Sequence, residues 1–321
     1  MITVLVHRDG HTRQAEAVDP AWLAPGAPEV FWVDMENPGS AESAVLADVF
    51  KFHELAIEDA MAEVHHPKIE AYEGFLYLIL HGMQAKGRKG GFETHDVDFF
   101  LGRNYLVTVH HKPSRSIAAQ RNICGRHAGV LAEGPAGLLH RIVDQLVEHY
   151  EPEVDALEAR LEKIESHVFS APGRNPLRDL IGMKADIAAL RRVALPQRDA
   201  VGRLSRREFP NIPEAMTYRF RDVYDQLVRL TDEALFLQDR VTGLLDAYLS
   251  IQSNRLNQVM KVLTVIATIF MPLTVITGMY GMNVHLPLFP GSAESQFWWV
   301  FGLMAVLSGL MLWFFRRKDW L

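Results

Sequence analysis

The sequence predicts an α+β domain, followed by a long α-helical stalk and two C-terminal transmembrane helices. Three observations support this fold class. Short apolar runs separated by turn residues occupy roughly the first 125 residues, and helical periodicity then continues to about residue 260. Two apolar stretches without a charged residue follow, Val262–Tyr280 and Phe297–Phe315, each of 19 residues. At about 1.5 Å per residue, each stretch nearly matches the hydrocarbon core of a bilayer.

The average composition hides this division. The 321 residues have a mean hydropathy of +0.00 and a net charge of -6, yet Glu294 is the only charged residue between the first span and Phe315. The single cysteine, Cys124, excludes a disulfide scaffold. The acidic balance argues against a nucleic-acid partner, because binding phosphates requires cations. We find no motif for nucleotide, ester or zinc-dependent peptide hydrolysis and therefore do not expect an enzyme.

The flanking charges predict the orientation of the two spans. Arg255 and Lys261 precede the first span, and Arg316-Arg317-Lys318 follows the second, whereas the intervening Gly281–Gln296 contains no Lys or Arg. The positive-inside rule then places both termini in the cytosol and the short loop on the outer side of the membrane. The expected location is the cell (inner) membrane. The N-terminal ten residues lack the basic and apolar regions of a signal peptide.

The N-terminal domain contains the patterns of strands and short helices. Strands are predicted at Met1–His7, Val30–Met35, Lys68–Tyr72, Phe75–Gly82, His95–Leu101 and Tyr105–His110. Helices are predicted at about Ser40–Phe50, His53–Ala62 and Pro113–Cys124. Two adjacent histidine pairs, His65-His66 and His110-His111, are interpreted as surface residues, with zinc binding as the alternative. Adjacent strand residues point to opposite faces, so neither pair is a preformed two-ligand site.

The remainder of the chain is predicted to be helical. Apolar residues from Leu139 to Val168 recur at three- and four-residue spacings and predict one long amphipathic helix. A second helix is predicted at about Pro176–Arg207, and a third from about Pro213 to Tyr280, roughly 100 Å long. The predicted division is a cytosolic α/β domain (1–130), an antiparallel helix pair (131–212), a stalk helix continuing into the first span (213–283), an outer loop (284–296), the second span (297–315) and a basic cytosolic tail (316–321).

One face of the first span carries small, weakly polar and flexible side chains. This stripe consists of Asn257, Met260, Leu263, Ala267, Met271, Thr274 and Gly278. Small residues are typical of helix-packing faces, since they let two helices approach closely. The same side chains could line a pore, but two spans cannot enclose a water-filled path, so a pore would need a ring of identical subunits. The stripe alone leaves both interpretations open.

The exit from the first span, Tyr280-Gly281-Met282-Asn283, resembles the CorA family of divalent-cation channels and transporters, whose signature is Gly-Met-Asn at this place. The first span itself and the basic tail are also similar to that family. Upstream, Phe220–Asp225 and Gly243–Asp246 match as well, and in the α/β domain His53, Glu58-Asp59 and Pro67-Lys68 match more loosely. The resemblance covers nearly the whole chain and is greatest over residues 213–321.

This resemblance implies a funnel-shaped homopentamer that imports Mg²⁺ passively, down its electrochemical gradient. By position, Gly281, Met282 and Asn283 would form the outer selectivity mouth. Leu263 and Met271 would form apolar constrictions, Asn257 a lower polar ring, and Met260, Ala267, Thr274 and Gly278 the rest of the lining. Asp59 and Asp222 would bind regulatory Mg²⁺ between subunits, so that losing the ion opens the channel. If the alignment of Asp59 and Asp222 with the family is shifted along the sequence, the nearby Glu58 and Asp225 would take these roles.

The outer loop departs from the familiar magnesium members. After the signature, Val284–Ser292 contains no acidic residue, and Glu294 is the only carboxylate of the loop. An acidic mouth concentrates cations electrostatically, so its loss weakens the expectation of Mg²⁺ recruitment. Zn²⁺, Co²⁺ and Ni²⁺ therefore stay alternatives for the transported ion. His285 could supply an imidazole ligand suited to those metals. The alternative from another class is a membrane-anchored sensor or scaffold that does not conduct.

Overall fold

A mixed β-sheet occupies the centre of the N-terminal part of the protein. In this computed structural model, residues 1–62, 66–85, 92–170, 176–282, 292–318 and 320 are described. Seven strands among them form the sheet: β1 Ile2–Arg8, β2 His11–Ala15, β3 Val30–Glu36, β4 Lys68–Tyr72, β5 Phe75–Ala85, β6 Phe92–Leu101 and β7 Tyr105–His110. The strand order is β2-β1-β3-β7-β6-β5-β4. β3 and β7 are parallel, and the other neighbours are antiparallel.

Helices cover both faces of the sheet. The helices are α1 Ser40–Ala44, α2 Glu54–Met61, α3 Arg115–Arg126, α4 Gly129–Ala132, α5 Pro135–Glu148, α6 Glu151–Ser170, α7 Leu177–Leu204, α8 Glu214–Tyr280 and α9 Ala293–Arg317, with a π-helical turn at Val45–Val49 and a 3-10 turn at Pro20–Leu23. On one face, Phe31 and Phe100 pack with Leu46 and Ala56. α5 contacts β3, β5, β6 and β7. The layers around the sheet therefore continue beyond residue 130, the predicted limit of the α/β domain.

The chain forms two compact units, Met1–Leu244 and Leu245–Leu321. The second contains the C-terminal part of α8 together with α9, and both helices are long and apolar enough to cross a membrane. α8 comprises 67 residues and continues through Pro272. The predicted α+β domain, long helix and two C-terminal apolar helices are thus confirmed.

The structure differs from the sequence-based expectations at β2 and at the junction of α5 and α6. β2 was not predicted, because its side chains are mostly exposed and do not alternate between apolar and polar. The single helix predicted from Leu139 to Val168 was wrong, since α5 and α6 are separated at His149 and Tyr150. Pro152, in the first turn of α6, marks this break, but the apolar spacing that continues through it predicted a single helix. Tyr150 is fully buried there, and its backbone N–H donates to Val147 at 2.9 Å while its carbonyl accepts from Val154 at 3.0 Å.

Side chains of the helical layer bind the backbone at one margin of the sheet. His81, on β5, lies beyond the residues that pair with β4. Its backbone N–H donates to the Gln197 side chain at 2.9 Å, and its carbonyl accepts from the Tyr150 hydroxyl at 2.8 Å. On β4, the Ile69 carbonyl accepts from Arg203 at 2.9 Å. Backbone groups that would otherwise be buried without partners are thereby satisfied.

A buried polar network joins the two central parallel strands to α3. The Asp34 carboxylate accepts from Thr108 at 2.7 Å, from Arg121 at 3.2 Å and from His110 at 3.2 Å. Burial lowers the pKa of His110, but the hydrogen bond to Asp34 and its charge outweigh this, so the net pKa is raised. The interpretation of His110 as a surface residue was wrong, because its side chain is 2% exposed.

Replacing Asp34 should destabilise the fold. Asp34→Asn leaves Arg121 and protonated His110 without a buried counter-charge, for which we expect a loss of about 3 kcal/mol. Because the folded-state pKa of His110 is raised, its stabilisation is complete below the ordinary value of 6.5 and is lost as the pH rises through the folded-state pKa. Denaturation followed by tryptophan fluorescence should therefore show a larger loss near pH 6 than near pH 9. Asp239→Asn, at an exposed position of α8, is the control, and equal losses in the two variants would contradict this account.

Candidate functional site

The predicted stripe on α8 is exposed along its whole length. All seven of its residues are exposed, and Met271, with 73% of its surface accessible, is the most open of the large ones. The threonines of this segment bond back to their own helix: Thr264 donates to the Met260 carbonyl at 2.7 Å and Thr274 to the Phe270 carbonyl at 2.9 Å. Such bonds satisfy the hydroxyl hydrogens within the helix and leave the oxygen lone pairs directed outward.

The other face of the same segment is covered. Val265 is buried, and Ile269, Leu273 and Ile276 are half-buried. At about 100° per residue, the centre of this covered face lies about 180° from the centre of the stripe. From residue 300 onward, the partly or fully covered positions of α9 also share one face: Val300, Met304, Leu307, Ser308, Met311 and Phe315. We infer that these two faces pack on each other, which leaves the stripe on the side of α8 away from α9.

The C-terminal end of α8 closes in a turn. The Gly281 N–H donates to the Thr277 carbonyl at 2.9 Å, and the Met282 N–H donates to the Met279 carbonyl at 3.3 Å. A Cβ atom at residue 281 would lie 3.1 Å from the Thr277 carbonyl oxygen, a tight approach that glycine avoids. Asn283 and His285 lie outside the described residues. The selectivity mouth built from Gly281, Met282 and Asn283 therefore stays a prediction.

Asp59, the first predicted regulatory residue, lies near the end of α2 and is bound by a cation of its own chain. Lys68 Nζ lies 2.5 Å from Asp59 Oδ2 and 3.0 Å from Glu70 Oε1. Tyr72 donates to the other oxygen of Glu70 at 2.9 Å. Burial lowers the pKa of Lys68, but the bonds to Asp59 and Glu70 raise it more, so the ammonium is charged. The sequence-based prediction missed the pairing of Lys68 with Asp59, since the spacing of residues 59 and 68 does not indicate it.

Asp222, the second predicted regulatory residue, is exposed on α8. Its carboxylate accepts from Gln226 at 3.5 Å, and the same amide contacts Asp144 at 3.4 Å. Glu58 and Asp225 are also exposed. In the part of the chain that the structure describes, no group of three or more His, Cys, Asp or Glu side chains is placed to hold a metal ion. One chain therefore offers single carboxylates here and not a closed coordination shell.

Comparison with known proteins identifies the family. A family described as CorA-like Mg²⁺ transporter protein matches residues 28–317. The YfjQ protein of Bacillus subtilis (strain 168) is 32% identical over 314 residues, which cover 96% of this chain and 92% of that protein. The cobalt/magnesium transport protein CorA of Thermotoga maritima is 31% identical over 281 residues, covering 86% and 79%. The zinc transport protein ZntB of Yersinia pseudotuberculosis is 23% identical over 310 residues, covering 96% and 90%.

A solved structure shows the same fold. The complete structure of the CorA magnesium transporter from Methanocaldococcus jannaschii superimposes with a TM-score of 0.84 over 100% of this chain and 99% of the other, at 22% identity. The match therefore extends over both the α+β part and the two apolar helices. With the family match over residues 28–317, these findings confirm the resemblance inferred from Gly281-Met282-Asn283 and its context. The chain belongs to the family of CorA-like Mg²⁺ transporter proteins.

Proposed function

We propose that this divalent-cation transporter is a homopentameric channel that admits Mg²⁺ passively and closes when intracellular Mg²⁺ is high. The observation that carries the proposal is the exposed stripe of α8 on the side away from α9. Asn257, Thr274 and Gly278 share this exposed face with apolar residues. Contact with lipid alone would not favour such a mixed face. Around a symmetry axis, the same face of every copy would line one central path, with α9 outside it.

The chemistry of the stripe suits a hydrated divalent cation. Mg²⁺ dehydrates reluctantly, so a path for it should accept hydrogen bonds from its water shell. The Thr274 hydroxyl already donates to Phe270, so its oxygen is available as an acceptor. Rings of Asn257 and Asn283 would add amide oxygens at the two ends. Leu263 and Met271 would form apolar constrictions that close the path by dewetting.

Regulation would occur between subunits. Among the residues that the structure describes, Asp59 and Asp222 belong to no group of three or more potential metal ligands within their own chain. Two carboxylates of neighbouring copies repel each other unless a cation lies between them. High internal Mg²⁺ would hold the interface together, and its loss would loosen it and open the path. Because Lys68 already binds Asp59, the incoming cation must compete with an ammonium group.

The direction of transport follows from the proposed orientation. With both termini in the cytosol, the Gly281-Met282-Asn283 turn faces the outside and the basic tail faces the cytosol. A divalent cation that enters across an inside-negative potential of about 100 mV gains about 4.6 kcal/mol. The potential alone therefore suffices to drive uptake in the proposed direction.

Uptake into proteoliposomes tests the proposal. Wild-type protein should admit Mg²⁺ when an inside-negative potential is imposed, and Asn283→Ala should lower the rate at least tenfold, since a ring of amide acceptors is lost from the mouth. Ser295→Ala, at the start of α9, is the matched control and should transport like the wild type. Equal uptake by Asn283→Ala and wild type would contradict the channel mouth. No divalent uptake by any variant would favour a non-conducting anchor or scaffold.

A zinc, cobalt or nickel cargo is the second candidate. It is favoured by the lack of acidic residues in 284–292, by His285 in the same loop and by the similarity to ZntB. Imidazole is a good ligand for these metals and a poor one for Mg²⁺. Adding Co²⁺, Ni²⁺ or Zn²⁺ to the uptake assay separates the candidates, because the preferred ion suppresses Mg²⁺ entry at the lowest concentration.

A further inference from the structure

A carboxyl group lies inside the apolar core on one face of the sheet. Asp98, on β6, is 1% exposed, and its cross-strand neighbours are Ile79 of β5 and Val109 of β7. The Tyr77 hydroxyl, also fully buried, donates to Asp98 Oδ1 at 2.5 Å. An ionised carboxylate is costly in such surroundings, so the group tends to bind a proton instead. Asp98 is therefore placed to hold a proton inside the fold.

The strand register connects this carboxyl group to Asp59. Lys68 of β4 pairs with Ile79 of β5, which pairs with Asp98, so Lys68 and Asp98 lie in one cross-strand row on the same face of the sheet. With strands about 4.8 Å apart, their Cα atoms are roughly 10 Å apart. The Lys68 ammonium lies over the Tyr77 ring, 5.6 Å from its centroid. Tyr77 thus contacts Asp98 through its hydroxyl and Lys68 through its ring, and Lys68 in turn binds Asp59.

The charge around Asp98 determines how easily it loses a proton. Burial raises the pKa of Asp98 well above its usual value, and the hydrogen bond from Tyr77 opposes this. The charges of Asp96 and Asp59 raise the pKa further, whereas the charge of Lys68 lowers it. Around Asp98 lie Tyr77 and His81 of β5, Asp96 of β6, Lys68 and Glu70 of β4 and Asp59 of α2, while the apolar Val109 and Leu46 come from β7 and the π-helical turn. A cation added at Asp59 therefore favours the ionised form of Asp98.

We propose that Asp98 binds a proton in competition with the regulatory cation at Asp59, so that inhibition by internal Mg²⁺ depends on the cytosolic pH. When Mg²⁺ binds at Asp59, the Asp98 carboxyl group releases its proton to water and becomes a carboxylate. Because coupling between two sites is reciprocal, a protonated Asp98 weakens Mg²⁺ binding at Asp59. Inhibition should then be weaker in an acidic cytosol and stronger in an alkaline one. This inference rests on the proposed regulation at Asp59 and does not depend on which residues line the ion path.

Infrared spectroscopy of the full-length protein follows the Asp98 proton directly. At pH 6 the wild type should show a carboxylic-acid C=O band that is missing from Asp98→Asn, a variant of the same shape that cannot ionise. The band should disappear as the pH rises. Mg²⁺ should lower the midpoint of this loss by about one pH unit, since a divalent charge roughly 10 Å away stabilises a carboxylate. Asp59→Asn should abolish the Mg²⁺ shift, whereas the control Asp48→Asn, at an exposed position of the π-helical turn, should keep both the band and the shift.

Tyr77→Phe gives a second test that does not depend on the folding of Asp98→Asn. It keeps the ring beneath the Lys68 ammonium and removes the hydrogen bond that favours the ionised form of Asp98. The acid band should therefore persist to a higher pH in Tyr77→Phe than in the wild type. A purely structural role of the Tyr77–Asp98 pair predicts no such shift.

Mg²⁺ uptake into proteoliposomes links the proton to regulation. In the wild type, the half-inhibiting internal Mg²⁺ concentration should be about fivefold higher one pH unit below the band midpoint than one unit above it. In Asp98→Asn the two concentrations should be equal. A band that is absent at pH 6, a midpoint that Mg²⁺ does not move, or pH-independent inhibition of the wild type would each overturn the inference and leave the proposed regulation by Mg²⁺ intact. Uptake that internal Mg²⁺ does not inhibit at any pH would contradict the proposed regulation itself.

Discussion

Uptake by Thr274→Cys should be blocked more than tenfold by a positively charged thiol reagent, whereas uptake by Ile276→Cys should change less than twofold. Thr274 is exposed on the stripe, and Ile276, two residues away, lies on the face that α9 covers. Only a side chain that meets the ion path is reached by a water-soluble reagent, and a fixed positive charge there repels a divalent cation. The two positions lie on different faces of α8 but at almost the same depth in the membrane.

The background reaction in this experiment should be small. Cys124 is the only native cysteine and is 1% exposed. Burial raises the pKa of its thiol to about 11, so the reactive thiolate is scarce at neutral pH. Wild-type uptake, measured with the reagent, confirms this directly. Equal block of both variants would show that the stripe is not the lining face, and block of Ile276→Cys alone would show that the faces are exchanged.

Lys68→Met should make the protein more sensitive to internal Mg²⁺. In the wild type, the Lys68 ammonium lies between Asp59 and Glu70, where it competes with any incoming cation. A unit charge about 4 Å away contributes up to about 4 kcal/mol at an effective dielectric of about 20. The side chains are partly exposed, 32% for Lys68 and 24% for Asp59, which reduces this value. We expect the half-inhibiting Mg²⁺ concentration to fall about tenfold.

The measurement is Mg²⁺ efflux or uptake at a series of internal Mg²⁺ concentrations. Lys184→Met, which removes an exposed charge from α7, should leave the half-inhibiting concentration unchanged. An unchanged value in Lys68→Met would exclude Asp59 as a regulatory ligand. A higher value would mean that the ammonium helps to hold the closed interface and does not compete with the ion.

The features that follow from periodicity were predictable. The spacing of the stripe residues places them on one face of any α-helix, so the sequence was sufficient to separate Thr274 from Ile276. The central strands were also predictable, because their side chains alternate or run apolar between turn residues. Gly281-Met282-Asn283 identified the family because it occurs in the right context, at the end of a charge-free span.

The features that depend on contacts between distant parts of the chain were not predictable from the sequence. The pairing of Lys68 with Asp59 joins α2 to β4, and no local pattern specifies which cation reaches a carboxylate nine residues earlier. The break at Tyr150 is marked by Pro152, but the apolar spacing continues through it and predicted one helix. β2 did leave a signal: Asp9 and Gly10 both have positive φ, 51° and 79°, and an Asp-Gly pair is a common hairpin turn. The polar character of β2 concealed it.

The helical side chains that bind the sheet margin also protect the protein from aggregation. An open strand edge can recruit a strand of another molecule and begin fibril growth. Here Gln197 and Tyr150 form hydrogen bonds with the backbone N–H and carbonyl of His81, and Arg203 donates to the Ile69 carbonyl. During biosynthesis, many copies of this domain are crowded at the membrane before they assemble. Strand addition at this margin would first have to break these three hydrogen bonds, so they disfavour sheet-to-sheet association of neighbouring copies.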